Sequence, residues 1–261
     1  MHADVNGIRM GYLEEGQGPP VVWVHGFPFR GAVWQAQMDA FKFTHRVIAP
    51  DLRGFGESDA PSGRITMDEF ADDLRALLER LGTGPVVLAG HSMGGYVALA
   101  FARQSPWLLK GLALVATRAG ADTPEGAAAR RATVEKVRVQ GTQVVVDAMA
   151  PKMLAPSNRD PVMAQAVRGF MAPLKVEGGI GALLGMAERP DSTALLAGLS
   201  MPVLAITGKD DALIPASESE RMAQRIPNCR LEILPDAGHL VAYEKPGAFN
   251  RIFAEWLTGI R

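Results

Sequence analysis

A short apolar stretch that leads into a serine between glycines constrains this chain more than any other feature. The residues Val86–Leu99 begin as an apolar, β-branched run, which predicts a buried strand, and end with the apolar spacing of a helix. Between them, Gly90-His91-Ser92-Met93-Gly94 fits the pattern G-x-S-x-G. In such an elbow a strained turn exposes the serine hydroxyl, and Cβ atoms at the glycine positions would clash with the neighbouring strand and helix. The stretch therefore predicts Ser92 as a nucleophile in a strand–turn–helix setting.

Strand and helix patterns alternate along most of the chain. Asn6-Gly7 predicts a hairpin turn near the start, and Thr66 with Glu69 forms a capping box at the start of a helix. Further strands are predicted at 21–24, 46–50, 86–90, 109–116, 202–208 and 231–234. This alternation indicates an α/β fold with a mostly parallel central sheet of about eight strands and helices on both faces.

The alternation stops at about Thr117 and resumes after Ser200. Residues 117–200 are rich in alanine and methionine and have helical spacing without convincing strands. The chain has 261 residues, which suits one large α/β domain with an insertion. We therefore predict a core domain built from 1–116 and 201–261, with a helical cap inserted at 117–200.

Charge and cysteine content exclude several classes of function. The formal net charge is −1, so nothing points to a nucleic acid or an anionic membrane surface as a partner. The single cysteine, Cys229, allows no disulfide within the chain, and no zinc pattern exists. The N-terminus has no signal-peptide pattern and no apolar run is long enough to span a bilayer. We expect a soluble cytoplasmic protein that needs neither a metal nor another cofactor.

A serine hydroxyl needs a general base within hydrogen-bond reach and an orienting partner for that base. His239 follows the last predicted strand, so it is expected at the carboxyl end of that strand. The strand before it leads into Gly208–Pro215, which carries Asp210 and Asp211. Both loops belong to the same edge of a parallel sheet, so either aspartate is a candidate for the orienting acid.

Four motifs in order resemble those of the α/β-hydrolase fold family over essentially the whole chain. They are His25-Gly26-Phe27-Pro28, Asp51–Ser58, Gly90–Gly95 and the late aspartate and histidine loops. The resemblance implies Ser92 as nucleophile, His239 as base and an aspartate between them in chain order. The family spacing Gly-x-x-Asp-x-x-Ile-Pro favours Asp211, which leaves Asp210 exposed or capping the loop.

The resemblance also implies an oxyanion hole and a substrate pocket. The oxyanion donors are expected to be the backbone N–H groups of Phe27 and Met93, whose side chains would line the pocket. The other pocket residues expected are Phe29, Trp34, Met149, Met153, Leu213 and Leu240. His25 is expected to brace the oxyanion loop, and His91 to pack or hydrogen-bond locally. For Asp51 we expect a salt bridge or a loop hydrogen bond with Arg53.

Within the family, the serine at the elbow separates this chain from dehalogenases and epoxide hydrolases, which carry aspartate there. It implies acyl transfer through an acyl-enzyme, and the form His-Gly-x-Pro resembles the esterase and perhydrolase group. We therefore expect a carboxylesterase acting on a small-molecule ester, as a monomer or homodimer. A lactonase similar to 3-oxoadipate enol-lactonase, or a C–C bond hydrolase, uses the same triad and stays open, as does a perhydrolase side activity.

The oxyanion loop, the candidate triad and the arginines of the chain bear on these alternatives. The oxyanion loop lacks the Gly-Pro-Gly form usual in C–C bond hydrolases, and a non-catalytic ligand receptor has no need of the complete triad found here. An enol-lactonase would need a cation in the pocket for the carboxylate of its substrate, and Arg118, Arg130 or Arg131 is a candidate. The alternation of Arg130 and Arg131 with apolar residues is otherwise typical of a solvated helix face.

Overall fold

An eight-stranded sheet organises the protein, for which a computed structural model describes residues 1–260. The strands are β1 (His2–Val5), β2 (Ile8–Glu15), β3 (Pro20–Val24), β4 (Arg46–Pro50), β5 (Val86–His91), β6 (Leu109–Val115), β7 (Val203–Gly208) and β8 (Cys229–Leu234). Their order across the sheet is β1-β2-β4-β3-β5-β6-β7-β8. The hairpin β1–β2 and the pair β2–β4 are antiparallel and all other pairs are parallel. The predicted α/β fold is confirmed.

Helices cover both faces of the sheet. They are α1 (Gln35–Phe41), α2 (Met67–Arg80), α3 (Met93–Gln104), α4 (Pro124–Gln140), α5 (Gln143–Met149), α6 (Pro161–Met171), α7 (Val176–Ala187), α8 (Ala216–Ala223), α9 (Val241–Glu244) and α10 (Pro246–Leu257). Short 3₁₀ turns lie at Gly31–Trp34, Pro106–Leu108, Ala150–Lys152 and Thr193–Gly198. The predicted cap of α2 is confirmed, because Thr66 Oγ1 accepts a hydrogen bond of 3.1 Å from Glu69 N–H.

The sheet separates two apolar clusters because side chains on a strand alternate between its faces. On β3, Val22 and Val24 join the cluster that α2 and α3 cover, whereas Val21 and Trp23 join the cluster that α1 and α10 cover. Trp23 packs against Phe253 of α10 with ring centroids 4.6 Å apart. The central strands are therefore buried on both sides, as parallel strands require.

The region between β6 and β7 is helical. The structure describes all of residues 116–202 and assigns them helices and turns but no strand. Within this region α4 and α7 pack against each other. The division into a core of 1–116 and 201–261 and a cap of 117–200 stays a prediction, as do the cytoplasmic location and the monomeric or homodimeric state. Along residues 1–260, the helices are too short or too polar to cross a membrane.

A buried ion pair fixes the loop after β4 to α2. Arg53 Nε lies 2.6 Å from Asp73 Oδ2 and Arg53 Nη2 lies 2.7 Å from Asp73 Oδ1. The expected contact of Arg53 with Asp51 is therefore wrong. Asp51 instead accepts backbone hydrogen bonds of 2.7 and 2.8 Å from Gly31 and Glu57. The bidentate geometry of Asp73 explains the difference, since it satisfies the Arg53 guanidinium within a buried site.

Helix α7 lies with its backbone directly against the loops that follow β4. A Cβ atom at Gly185 would overlap the carbonyl oxygen of Ile65, and one at Gly178 would overlap that of Gly54. Ile65 N–H also donates a 3.0 Å hydrogen bond to the carbonyl of Gly181. Glycine is required along this face of α7 because any side chain would push the helix away from the core.

We expect Gly185→Ala to lower the free energy of unfolding by about 1–3 kcal/mol, because the added methyl group overpacks the contact with Ile65. The matched control is Gly169→Ala in α6, where nothing lies within 4 Å of the added Cβ atom. That variant should gain about 0.5–1 kcal/mol from lower backbone entropy of the unfolded chain. Urea unfolding of the two variants measures the difference, and equal stabilisation of both would contradict the close packing of α7.

Candidate active site

Ser92 occupies a strained turn between β5 and α3. Its φ of 52° and ψ of −113° lie in a region that non-glycine residues rarely adopt. A Cβ atom at Gly90 would overlap the carbonyl of Gly94, and one at Gly94 would overlap the carbonyl of Val24. The strand–turn–helix setting predicted for this stretch is therefore confirmed, together with the physical reason for its glycines.

Hydrogen bonds from the neighbouring strand hold the turn in place. Ser92 N–H donates to the carbonyl of Val115 at the end of β6, with a distance of 2.9 Å. Thr117 Oγ1 donates to the carbonyl of Ser92 at 2.8 Å. Both backbone polar groups of the strained residue are thus paired, which helps the surrounding structure to maintain its unfavourable backbone angles.

A buried histidine–carboxylate pair lies on the loops after β7 and β8. His239 Nδ1 is 2.7 Å from Asp211 Oδ2, and the two side chains are only 1% and 0% exposed. Asp211 Oδ1 accepts backbone hydrogen bonds of 2.8 and 2.9 Å from Leu213 and Ile214. An ionised carboxylate can only accept, so Nδ1 carries a proton, and in the neutral imidazole Nε2 then has a free lone pair.

The ionisation of Asp211 follows from these contacts. Burial by itself would raise the pKa of Asp211, but the charge and hydrogen bond of His239 and the N–H groups of Ile214 and Leu213 outweigh it and lower the pKa. Asp211 is therefore a carboxylate at neutral pH. Asp210 is exposed and its N–H donates to the carbonyl of Ala237 at 2.9 Å. Of the two candidate aspartates, the structure brings Asp211 to His239.

Ser92 and His239 face the same cleft, which has a volume of about 150 Å³. The cleft is lined by Phe27, Ser92, Tyr96, Arg118, Arg130, Met149, Met186, Leu213, Ile214 and His239. The hydrogen bonds described for residues 1–260 include none between Ser92 Oγ and His239 Nε2. Such contacts are often long in a ligand-free site and tighten when substrate binds, so a shared cleft is the relevant geometry.

The two backbone N–H groups of the expected oxyanion hole make no hydrogen bond within the described part of the fold. Phe27 N–H and Met93 N–H donate to no other group within the described residues. The side chain of Phe27 lines the cleft as expected, whereas that of Met93 is fully buried in the core. The expectation that Met93 lines the pocket is wrong because α3 packs this side chain against the sheet.

Two further buried histidines have structural contacts. His25 Nδ1 donates to the carbonyl of Gly26 at 3.0 Å, and its Nε2 accepts from Leu52 N–H at 3.0 Å. His25 therefore braces the loop that carries Phe27, as expected. His91 Nε2 donates to the backbone carbonyl of His239 at 3.0 Å. Burial, aided by the charge of His239, lowers the pKa of His91 to about 3, so His91 is neutral near pH 7.

The expected pocket residues divide into two groups. Met149 and Leu213 line the cleft that contains Ser92. The other four are buried in the apolar cluster on the α1 and α10 side of the sheet, and they are Phe29, Trp34, Met153 and Leu240. The expectation that these four residues line the pocket with Ser92 is therefore wrong. Apolar spacing identifies side chains that are buried, but it does not show whether they lie in the core or in a cleft.

Several cleft residues escaped the sequence reasoning. Tyr96 lies one helical turn after Ser92 and Ile214 lies three residues after Asp211, so proximity to the expected triad is a usable signal for both. Arg118 follows β6 at the same edge of the sheet, and it and Arg130 are among the arginines expected above as pocket cations. Met186 comes from α7, and its place among the methionines of 117–200 is a signal for it, since methionines often line adaptable apolar surfaces. Over residues 1–260 no group of three or more His, Cys, Asp or Glu side chains is arranged to hold a metal ion.

Glu244 is a buried carboxylate that fixes the loop of His239. Glu244 Oε2 accepts a 2.7 Å hydrogen bond from Gly238 N–H, directly before His239. Its Oε1 accepts 2.7 and 3.1 Å bonds from Asn158 Nδ2 and Ala155 N–H. One side chain thus joins the histidine loop to the helical region between β6 and β7. Sequence reasoning missed it because nothing local distinguishes this glutamate from an exposed one.

The chain is similar to known proteins in sequence and in fold. Residues 19–246 match the profile of the family described as alpha/beta hydrolase fold. A thermophilic esterase from Thermogutta terrifontis, solved with malate bound, is 42% identical with a TM-score of 0.96, covering 99% of this chain and 98% of that one. The enol-lactonase from Burkholderia xenovorans LB400 is 27% identical with a TM-score of 0.92, covering 99% and 100%.

One curated relative is a longer protein. The dihydrolipoyllysine-residue acetyltransferase component of the acetoin cleaving system from Pseudomonas putida is 32% identical over 95% of this chain. The match spans only 66% of the length of that protein, so it concerns one part of the relative.

We expect Glu244→Gln to lower the free energy of unfolding by about 1–3 kcal/mol, because an amide nitrogen replaces one acceptor among buried N–H donors. Glu220→Gln is the control, since Glu220 lies exposed on α8, and its effect should stay within about 0.5 kcal/mol. Chemical denaturation measures both values. An unchanged stability of Glu244→Gln would contradict the role of Glu244 in fixing the histidine loop.

Proposed function

Since the chain belongs to the α/β-hydrolase fold family, we propose that it is a serine hydrolase that cleaves carboxylic esters of small molecules. The observation that carries the proposal is the buried pair of His239 and Asp211, whose histidine lines the same cleft as Ser92. The likeness to the Thermogutta terrifontis esterase supports an ester as the substrate.

In the first half of the proposed reaction, Ser92 Oγ attacks the carbonyl carbon of the ester. His239 Nε2 takes the hydroxyl proton as the new C–O bond forms, and the carbonyl oxygen becomes an oxyanion. The tetrahedral intermediate then collapses and breaks the bond to the alcohol oxygen. That oxygen receives the proton from His239, the alcohol leaves, and Ser92 carries the acyl group.

In the second half, water attacks the acyl carbon and gives its proton to His239. Collapse of the second intermediate breaks the bond to Ser92 Oγ, which recovers a proton from His239, and the carboxylic acid leaves. Asp211 keeps the imidazole in the tautomer with Nδ1 protonated and stabilises the imidazolium that forms in each half.

The proposed oxyanion hole consists of the N–H groups of Phe27 and Met93. Their lack of other partners within residues 1–260 supports this role, since a donor already engaged in the fold could not bind the oxyanion. The strained turn at Ser92 supports it as well, because it brings the nucleophile and the start of α3 together.

We further propose that residues 117–200 form a cap over the site. In support, the cleft with Ser92 is bounded on one side by side chains from this region, including Arg130, Met149 and Met186. The glycine contacts of α7 with the core favour a firmly docked cap.

A cyclic ester is a second candidate substrate, because the likeness to the Burkholderia enol-lactonase favours it. A lactone passes through the same acyl-enzyme, and the released alcohol stays part of the acyl group. A panel of open esters and lactones of graded chain length distinguishes the two substrate classes by their kcat/KM values.

Replacement of the nucleophile tests the proposed function. The expected result of Ser92→Ala is a loss of at least about 10³-fold in kcat on p-nitrophenyl acetate and butyrate, because no acyl-enzyme can form. Ser217→Ala, at an exposed position, serves as the control and should retain full activity. Full activity in Ser92→Ala would show that a different group acts as the nucleophile.

The neighbouring aspartates provide a matched pair of variants. We expect Asp211→Asn to reduce kcat by about 10⁴-fold, because the amide favours the wrong tautomer of the histidine. Asp210→Asn should change kcat by less than about twofold, since that carboxylate is exposed and the hydrogen bond to the histidine comes from Asp211. Steady-state kinetics on the same esters measures both. If Asp210→Asn is the damaging change, the assignment of Asp211 fails.

A further inference from the structure

Two arginines line the cleft that contains Ser92. Arg118 comes from the loop after β6 and Arg130 from α4, and both also line an adjoining cleft of about 440 Å³. The two clefts share Phe27, Met149 and Leu213 as well, so they lie side by side around the same residues. Arg131 lies outside it, 53% exposed, and pairs with Glu188 at 3.8 Å. The structure thus distinguishes between adjacent arginines that the sequence leaves equivalent.

A single buried carboxylate holds these arginines. Asp122, whose side chain is 1% exposed, accepts hydrogen bonds from Arg118, Arg130 and Arg189. Arg189 is buried, donates to the carbonyls of Gly120 and Met186 and stacks on Tyr96 at 4.0 Å. Three guanidinium groups share one carboxylate, so the cluster keeps a positive excess at the wall of the cleft.

The positive excess is accessible from the cleft. The side chains of Arg118 and Arg130 are 28% and 24% exposed, whereas that of Arg189 is 3% exposed. Arg130 uses Nε for Asp122, and its Nη1 and Nη2 donate to no group among residues 1–260. The two clefts are lined by two arginines and by one acidic residue of the described chain, Asp122. The other residue of the lining that can carry a positive charge is His239.

We propose that Arg118 and Arg130 bind a carboxylate of the substrate, so that the preferred esters are half-esters of short dicarboxylic acids. The inference rests on the proposed ester hydrolysis and names its substrate class. A planar guanidinium matches a carboxylate in shape and charge, and the free Arg130 donors suit such a contact. The arginines share the cleft of Ser92, so a short chain between carboxylate and ester reaches both.

The same arrangement disfavours a neutral substrate. An uncharged alkyl chain of the same length would displace water from the two guanidinium groups without replacing the hydrogen bonds. The site should therefore discriminate between a terminal carboxylate and a terminal methyl group by about 10–100-fold in kcat/KM, the range of one charge-assisted hydrogen bond.

Monoethyl succinate and ethyl butyrate test this inference, since they differ at the end of the acyl chain. We expect the native enzyme to favour monoethyl succinate at least about tenfold in kcat/KM. In Arg118→Met and Arg130→Met the ratio of kcat/KM for monoethyl succinate to kcat/KM for ethyl butyrate should fall at least about tenfold. In Arg130→Lys the ratio should lie between the values of the native enzyme and of Arg130→Met. Arg131→Met, which removes the neighbouring charge outside the cleft, should keep the ratio of the native enzyme. If Arg118→Met fails to fold, the two Arg130 variants decide.

Two results would overturn the inference: a native preference for ethyl butyrate, or a preference for the half-ester that persists in the Arg118 and Arg130 variants. Calorimetric titration with succinate separates this inference from the proposed function. Succinate should bind the native protein and bind Arg130→Met at least about tenfold more weakly, with Arg131→Met as control. If neither ester is hydrolysed, ester hydrolysis fails as the function, while equal succinate binding by all variants would reject the carboxylate site.

Discussion

The strained backbone of Ser92 is the constraint on which the rest of the site depends. A residue with φ of 52° at the end of a strand persists only if its neighbours leave no alternative. Here Gly90 and Gly94 let β5, α3 and β3 approach within contact of the turn, and Val115 and Thr117 pair its backbone groups. The parallel sheet thus creates the elbow, and the elbow exposes the hydroxyl.

The parallel arrangement also explains why separate loops meet at one cleft. The carboxyl ends of β5, β6, β7 and β8 lie along one edge of the sheet, and Ser92, Arg118, Asp211 and His239 follow these four strands. Buried polar groups then connect segments that are far apart in the chain. Glu244, for example, joins the loop of His239 to Ala155 in the region between β6 and β7. A single carboxylate, Asp122, performs the same task for the arginines.

Much of this architecture was predictable because it depends on local physics. Strand and helix periodicity, the N-cap at Thr66 and the glycines of the elbow are all properties of neighbouring residues, and each was confirmed. The pocket was less predictable. Trp34 and Met153 are as apolar as Met149 and Leu213, yet only the last two line the cleft. The partner of Arg53 was likewise misjudged, because Asp73 is distant in sequence.

By itself, the sequence determined the α/β fold, the strand–turn–helix setting of Ser92 and the loops that carry His239 and the two aspartates. The resemblance favoured Asp211 over Asp210, and the structure brings Asp211 to the histidine. Tertiary structure alone decided that Arg118 and Arg130 line the cleft while Arg131 lies outside it. The physical reason is that periodicity and turn chemistry act between near neighbours. The direction in which one side chain points depends on packing among segments that the chain brings together only when it folds.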